Sequence, residues 1–227
     1  MLARPVTPLL IACDFDGTIT CRDTLHVIIE EFGVTGVWDR LEPRLRAGEI
    51  TVEQAMVEQF AAVRGTTEEI LAAVRRESPV REGFVELVAW ARAAGHRVVV
   101  FSSGFRTVID AVLNDAGVGD LPVHSHEARF SEDGCRLVWA DRGEVCPLCG
   151  RRCKRHDLAL HRRPGEPVVY LGDGISDRCV ARVADLVFAR AGLAEHLAES
   201  GLEFLPFDDF HDVRRGIDAA LPALRAA

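Results

Sequence analysis

Apolar residues along this chain fall into two patterns, short unbroken runs and stripes spaced as on a helix. The runs at 9–13, 98–101 and 168–171 have the length of strands and end in polar or glycine-containing turns, the pattern of strands covered on both faces of a parallel sheet. From 24 to 78 no convincing strand is found. Instead Ile50, Val52, Met56 and Phe60, and then Ile70, Leu71 and Val74, recur at helical spacing and predict about four short helices inserted after the first strand. Further helices are predicted over 81–94, ended by Gly95, and over 105–116. Within 122–142 the stretch EARFSEDGCRLVWA alternates about Asp133-Gly134 and predicts a β-hairpin appended to the sheet. Strands at 185–189 and near 203–205 and a closing helix over 210–224 complete the reading. The fold class is therefore α/β, with residues 1–20 and 79–227 forming the core and 21–78 a helical cap. Repeats, low-complexity tracts and flexible linkers are absent from the sequence.

Carboxylates gather where these strands end. LLIACDFDGTIT delivers Asp14 and Asp16 from the end of the first run, with Gly17 behind them, and GDGISD delivers Asp173 and Asp177 from the end of the third. Ligands of open α/β sheets bind beyond the carboxyl ends of the strands. Strand side chains repeat every two residues, so Asp14 and Asp16 lean toward one crevice, where carboxylates this close repel unless a cation or proton intervenes. Mg²⁺ suits such a set, because it takes a few carboxylate oxygens together with water and a substrate phosphate. The second run leads into Ser102, Ser103 and Gly104, and Lys154 opens the helix that precedes GDGISD. Together these residues describe a phosphoryl-transfer centre.

In its four ordered motifs the chain resembles the haloacid dehalogenase superfamily of phosphatases over nearly its whole length. The resemblance implies a Rossmann-like core and an aspartyl-phosphate mechanism. In it Asp14 attacks phosphorus, while Asp16 protonates the leaving oxygen and then activates water. Ser102 hydrogen-bonds the transferring group and Lys154 neutralises its charge, while Asp14, the carbonyl of Asp16, Asp173 and, in support, Asp177 hold Mg²⁺. The helical cap, SSGF and GDGISD are similar to the phosphoserine phosphatase branch, which implies substrate contacts from Asp23, Ser103 and Gly104. Asp23 has a second reading as a helix N-cap. Where that branch carries a cap arginine that grips the substrate carboxylate, this chain has Gln59. GEITVEQAMVEQF and VFARAGLAEHLAESGLEFLPFDDFHDV resemble instead the methionine-salvage phosphatases of 2-hydroxy-3-keto-5-methylthiopentenyl-1-phosphate. The cysteine-rich loop before Lys154 resembles the phosphoethanolamine and phosphocholine phosphatases, so the substrate stays open among the three.

That loop, CPLCGRRCKRH, places Cys146, Cys149 and Cys153 within eight residues. Clustered thiols without a secretion signal bind zinc more often than they form disulfides, and His156 offers a fourth ligand. A structural Zn²⁺ would brace the loop carrying Lys154, and the other reading is reduced thiols on a loop. Cys13, Cys21, Cys135 and Cys179 read as ordinary core thiols, and Trp38, Trp90 and Trp139 as packing residues. His26, His96, His124, His126, His196 and His211 have no clear catalytic partner in sequence, and the basic run from Arg151 to Arg163 reads as a solvated helix face apart from Lys154.

Composition narrows the partners. A net charge of −8 argues against nucleic acid, and no apolar run approaches a membrane span. The apolar stretch in MLARPVTPLLIAC is too brief for a signal peptide and runs straight into the candidate nucleophile. The expectation is a cytoplasmic enzyme, a monomer or homodimer, acting on a small phosphorylated metabolite. Two non-enzyme readings compete with it. A phosphoacceptor module has no use for an acid at Asp16 or for a cap, and a zinc-binding interaction protein has no use for intact catalytic positions.

Overall fold

The computed structural model describes residues 8–140, 145–150 and 153–224. The amino-terminal residues MLARPVT, the last two residues of the 122–142 segment, and Arg151 and Arg152 of the basic run lie outside the described residues. In chain order the strands are β1 (Leu10–Cys13), β2 (Arg97–Phe105), β3 (Val123–Ser131), β4 (Gly134–Val138), β5 (Val168–Gly172), β6 (Leu186–Ala189) and β7 (Leu205–Pro206). They form one sheet in the order β4-β3-β2-β1-β5-β6-β7, parallel throughout except for the β3–β4 hairpin.

Both faces of the central strands are buried, and the alternation divides them cleanly. Leu9, Ile11, Cys13, Val98, Val100, Val169 and Leu171 face one apolar cluster, while Leu10, Ala12, Val99, Phe101, Val168 and Tyr170 face another. The first is covered by α5 (Phe84–Ala93), α6 (Arg106–Asp115) and α10 (Phe210–Leu224), the second by α7 (Lys154–His161), α8 (Arg178–Ala181) and α9 (Ala191–Glu199). This two-sided burial is why the runs are continuous rather than alternating.

Between β1 and α5 stand the four expected helices, α1 (Thr24–Phe32), α2 (Val37–Arg46), α3 (Val52–Phe60) and α4 (Thr67–Glu77). Thr51 and Thr66 each close a capping box at the start of α3 and α4. These helices do not build a wholly separate core. Val27, Ile28, Met56, Phe60, Ile70 and Val74 belong to the same cluster as Ile11 and Phe105, and only α2 and α3 keep a small cluster of their own around Val37, Leu41 and Leu45. At their base the chain enters and leaves side by side, through a Thr20–Val80 antiparallel bridge and a hydrogen bond from the Cys21 amide to the Pro79 carbonyl at 2.9 Å.

The structure adjusts three expected boundaries. The helix expected over 81–94 begins only at Phe84, because the half of that turn carrying Arg81 is used elsewhere. Arg81 is buried and donates to the carbonyl oxygens of Gly17, Thr18 and Thr20 at 2.9, 2.9 and 3.1 Å. The strand expected at 98–101 runs on through Ser102, Ser103 and Gly104 to Phe105, with a register shift against β3 between Phe101 and Phe105. The edge strand expected near 203–205 is the pair Leu205–Pro206. No helix among the described residues is long and apolar enough to cross a membrane.

Candidate active site

Register brings the motifs together. Cys13 pairs with Val100 on one side and with Leu171 on the other, so Asp14 emerges beside the ends of β2 and β5. The Asp14 amide continues the ladder to the Leu171 carbonyl at 2.9 Å. After Asp14 the backbone turns through Gly17 at φ 74°, in the left-handed region where a side chain is strained. A Cβ there would also collide with the Asp173 carboxylate. Gly104 is needed for a second close approach, since a Cβ on it would meet Asp16 Oδ2 at 2.6 Å.

Lys154 Nζ, 1% exposed, is the cation at the centre of this arrangement. It donates to Asp14 Oδ1 and, at 2.7 Å, to Asp177 Oδ1. Asp177 is fully buried and saturated. Its Oδ1 also accepts from the Tyr170 hydroxyl at 2.6 Å, and its Oδ2 accepts from the amides of Asp173 and Gly174 at 3.1 and 3.0 Å. An ionised carboxylate offers about four acceptor positions, and these donors fill them. Asp177, expected to support the Mg²⁺ ligands, thus holds Lys154 and the turn after β5, and its carboxylate also stands in the cluster with Asp14 and Asp173.

Asp14 and Asp173 retain oxygens for a ligand. One oxygen from each, with one from Asp177, lies within 4.8 Å of the others. Burial, and then the Asp177 charge, push the Asp14 carboxyl well above the ordinary carboxylate range despite Lys154. The same two causes raise Asp173 to about 6, and Asp14 lies within hydrogen-bonding reach of it. Three clustered carboxylates, Asp14 and Asp177 buried and Asp173 half-buried, stand against one ammonium. Hard oxygen donors in that state suit a divalent cation such as Mg²⁺.

Asp16 occupies the other side. Its Oδ1 accepts from the amide of Thr24 at 3.0 Å and from the Thr24 hydroxyl, and its Oδ2 accepts from Ser102 Oγ at 3.2 Å. Burial first, and the nearby Asp23 second, raise its carboxyl to about 7. Ser102 is wholly buried and its Oγ accepts from the Gly104 amide at 2.8 Å, while Ser103 and Gly104 line the open space in front. Asp23 is the N-cap of α1. Its Oδ1 caps α1 by accepting from Leu25 and His26 at 2.8 and 3.1 Å, and the residue also lines the cavity.

The cavity in front of these groups holds about 510 Å³ and is walled by α1–α3 on one side and the strand ends on the other. Trp38, Leu45, Val52, Ala55 and Met56 give it an apolar wall. Gln59 lines it too, 4% exposed, and its Nε2 has no hydrogen-bond partner among the described residues. Arg178 Nε and Arg190 Nη1 are likewise buried and unpartnered among the described residues, in side chains that line the same space. Both arginines, together with Thr24 and Arg81, were invisible to sequence reasoning, because no motif or spacing distinguishes them from surface residues. Trp38, read as a packing residue, does pack on the α2–α3 cluster but also faces the cavity, where His26 meets its ring edge-on at 5.2 Å.

The cysteines are placed differently from expectation. Sγ atoms of Cys146, Cys149, Cys153 and Cys179 all lie within 4.8 Å of one another, and His156 is not among them. The fourth member comes from α8, folded back against the start of α7, a pairing that sequence separation hides.

A parallel sheet with strand-end aspartates, a buried lysine and a helical insertion after β1 defines a known class. The haloacid dehalogenase-like hydrolase family model matches residues 11–182, and the chain belongs to that family. Within it the chain stands among the phosphatases. It is 32% identical over 208 residues to a 2-hydroxy-3-keto-5-methylthiopentenyl-1-phosphate phosphatase of Geobacillus kaustophilus, covering 90% of this chain and 93% of that one. A phosphatase of the same name from Brevibacillus brevis is 28% identical, with 91% and 94% covered. Among solved structures, a phosphoserine phosphatase carrying an analogue of its phospho-aspartyl intermediate superposes with a TM-score of 0.70. At 20% identity, with 92% of this chain and 98% of that one covered, it shares the fold.

Proposed function

We propose that the protein hydrolyses a small phosphomonoester through an aspartyl-phosphate on Asp14. The observation that carries this reading is the Asp14–Lys154–Asp177 chain, whose Asp14 lines the cavity together with Asp16. An oxygen of Asp14 bonds to phosphorus as the bond to the leaving oxygen breaks, and Asp16, with its carboxyl raised to about 7, gives that oxygen its proton. Asp16 then takes a proton from water, whose oxygen attacks phosphorus, freeing Asp14 and inorganic phosphate. Lys154 and the Ser102 hydroxyl stabilise charge on the transferring group. Asp14, Asp173 and the Asp16 carbonyl are the residues that would hold Mg²⁺, which when bound neutralises phosphoryl oxygens. Residues 21–78 act as the cap that screens the reaction from water and reads the substrate.

The substrate we favour is 2-hydroxy-3-keto-5-methylthiopentenyl-1-phosphate. Its methylthio tail matches the wall of Trp38, Val52 and Met56, and its hydroxyl and keto oxygens match the unpartnered Gln59 Nε2 and Arg190 Nη1. The cavity arginines Arg46, Arg178 and Arg190 support a second reading, an anionic phosphomonoester such as phosphoserine. This is a small-metabolite enzyme of the cytoplasm. Measuring kcat/KM with Mg²⁺ for both substrates, phosphoethanolamine and an alkyl phosphate decides between them. The keto substrate should lead phosphoserine by at least about tenfold, and a lead for phosphoserine would transfer the assignment to the second reading. No hydrolysis of any phosphomonoester would overturn both.

A further inference from the structure

We infer that Cys146, Cys149, Cys153 and Cys179 bind one structural Zn²⁺ that staples the helix carrying Lys154 to the helix following Asp177. The inference stands apart from the substrate assignment and rests on the cysteines alone. Their four sulfur atoms lie mutually within 4.8 Å. A tetrahedral zinc with bonds of about 2.3 Å holds its sulfurs roughly 3.8 Å apart, so the thiols need only small rotations to close on one ion. Cys146 is buried, and Cys149, Cys153 and Cys179 are half-buried. Four sulfur donors in tetrahedral reach select zinc or an iron centre over the hard cations suited to the carboxylate site.

Local geometry is already that of a metal-binding turn. Cys146 and Cys149 stand at a turn closed by the Gly150 amide on the Cys146 carbonyl at 2.8 Å, with Gly150 at φ 67°. Cys153 is the N-cap residue of α7, and Cys179 lies in the first turn of α8. These two helices have eight and four residues, lengths at which a helix is not stable by itself. Each carries one end of the buried ion pair at the active site. Lys154 directly follows Cys153, Asp177 precedes Cys179 by two positions, and the Lys154 and Asp177 side chains meet at 2.7 Å. One ion joining Cys153 to Cys179 would hold that contact from behind. His156, whose amide bonds the Cys153 carbonyl in the first turn of α7, is left out of the cluster.

The test is metal analysis of the full chain purified under reducing conditions without chelator, on wild type, Cys179→Ser and His156→Ala. Wild type should carry about one equivalent of zinc and be colourless, and His156→Ala should keep it. In Cys179→Ser the retained zinc should fall at least about tenfold, and the melting temperature should fall with it. Cobalt exchanged into the wild type should give the charge-transfer absorption of thiolate ligands and the visible bands of a tetrahedral ion. Less than about a tenth of an equivalent of zinc in folded wild type, with all four thiols freely titratable, would overturn the site. So would stoichiometric iron, or full zinc retention in Cys179→Ser. Loss of zinc in His156→Ala would restore histidine as the fourth ligand and overturn this one. The wild-type measurement stands even if Cys179→Ser does not fold.

Discussion

Asp14 and Asp16 lie two positions apart in different surroundings, and burial raises both carboxyls. Asp14 is pressed against Lys154, while Asp16 touches only hydroxyl and amide donors and is raised to about 7. Asp14→Asn keeps the side-chain shape and removes one charge from a crowded acidic group. Turnover should therefore fall by roughly a thousandfold or more, with a circular dichroism spectrum and melting temperature no worse than wild type in the absence of Mg²⁺. Asp16→Asn should slow alkyl phosphates far more than p-nitrophenyl phosphate, whose leaving oxygen barely needs a proton. Equal losses on the two in single-turnover assays would remove Asp16 as the acid. Gln59→Leu, nearly isosteric, should raise KM for the keto substrate with little change in kcat for p-nitrophenyl phosphate, which a steady-state comparison reads directly. Asp14, Asp16, Asp173 and Lys154 were legible in sequence because each follows a strand closely or opens a helix within a recognisable motif. Arg81 was not. It orders the turn after Asp14 through three carbonyl oxygens that no sequence spacing reveals.

At the scale of elements, α7 is held by more than the Lys154 ion pairs. His161 at its far end meets His124 of β3 through their Nε2 atoms, and both rings pack against Phe101. Burial first, and then His124 and Arg97, push His161 below its ordinary value of 6.5. The unfolded chain therefore takes up this proton at a higher pH than the folded one, so stability is lost as pH falls through about 6.5. Wild type should lose more melting temperature than His161→Leu between about pH 7.5 and 5.5, and equal losses would clear this pair of the effect. Capping is testable in the same way. Thr66 caps α4 through the Glu69 amide, in a box completed by Glu69 itself. Thr66→Ala should cost about 1 kcal/mol in urea unfolding. The element pattern was legible for the four inserted helices and the central strands, where apolar periodicity is strong. The strand through Ser102–Phe105 was missed, since Ser, Ser and Gly carry no β signal and are held extended by β2's own continuation and by the Ser102–Gly104 contact.

For the molecule as a whole, the acidic centre is a local cost that the surrounding core sustains. Any cation that binds the folded state and not the unfolded chain stabilises the protein by mass action. Adding millimolar Mg²⁺ should raise the melting temperature, and the increment should shrink in Asp173→Asn, as differential scanning fluorimetry would read. An undiminished increment would mean that Mg²⁺ binds elsewhere. The helical insertion shares its apolar cluster with the core through Phe60 and Phe105, whose rings meet edge-on at 4.8 Å, so cap and core should unfold in one transition. By itself the sequence determined the α/β class, the inserted helices and the clustering of carboxylates at the strand ends, because these depend on periodicity and on residues adjacent in the chain. Only the tertiary structure decided that Asp177 serves Lys154, that Gln59 and Arg190, each with a buried donor unpartnered among the described residues, line the cavity, and that Cys179 rather than His156 completes the thiol cluster. Those relations join residues far apart in the chain, and they arise from sheet register and helix packing, which local pattern does not encode.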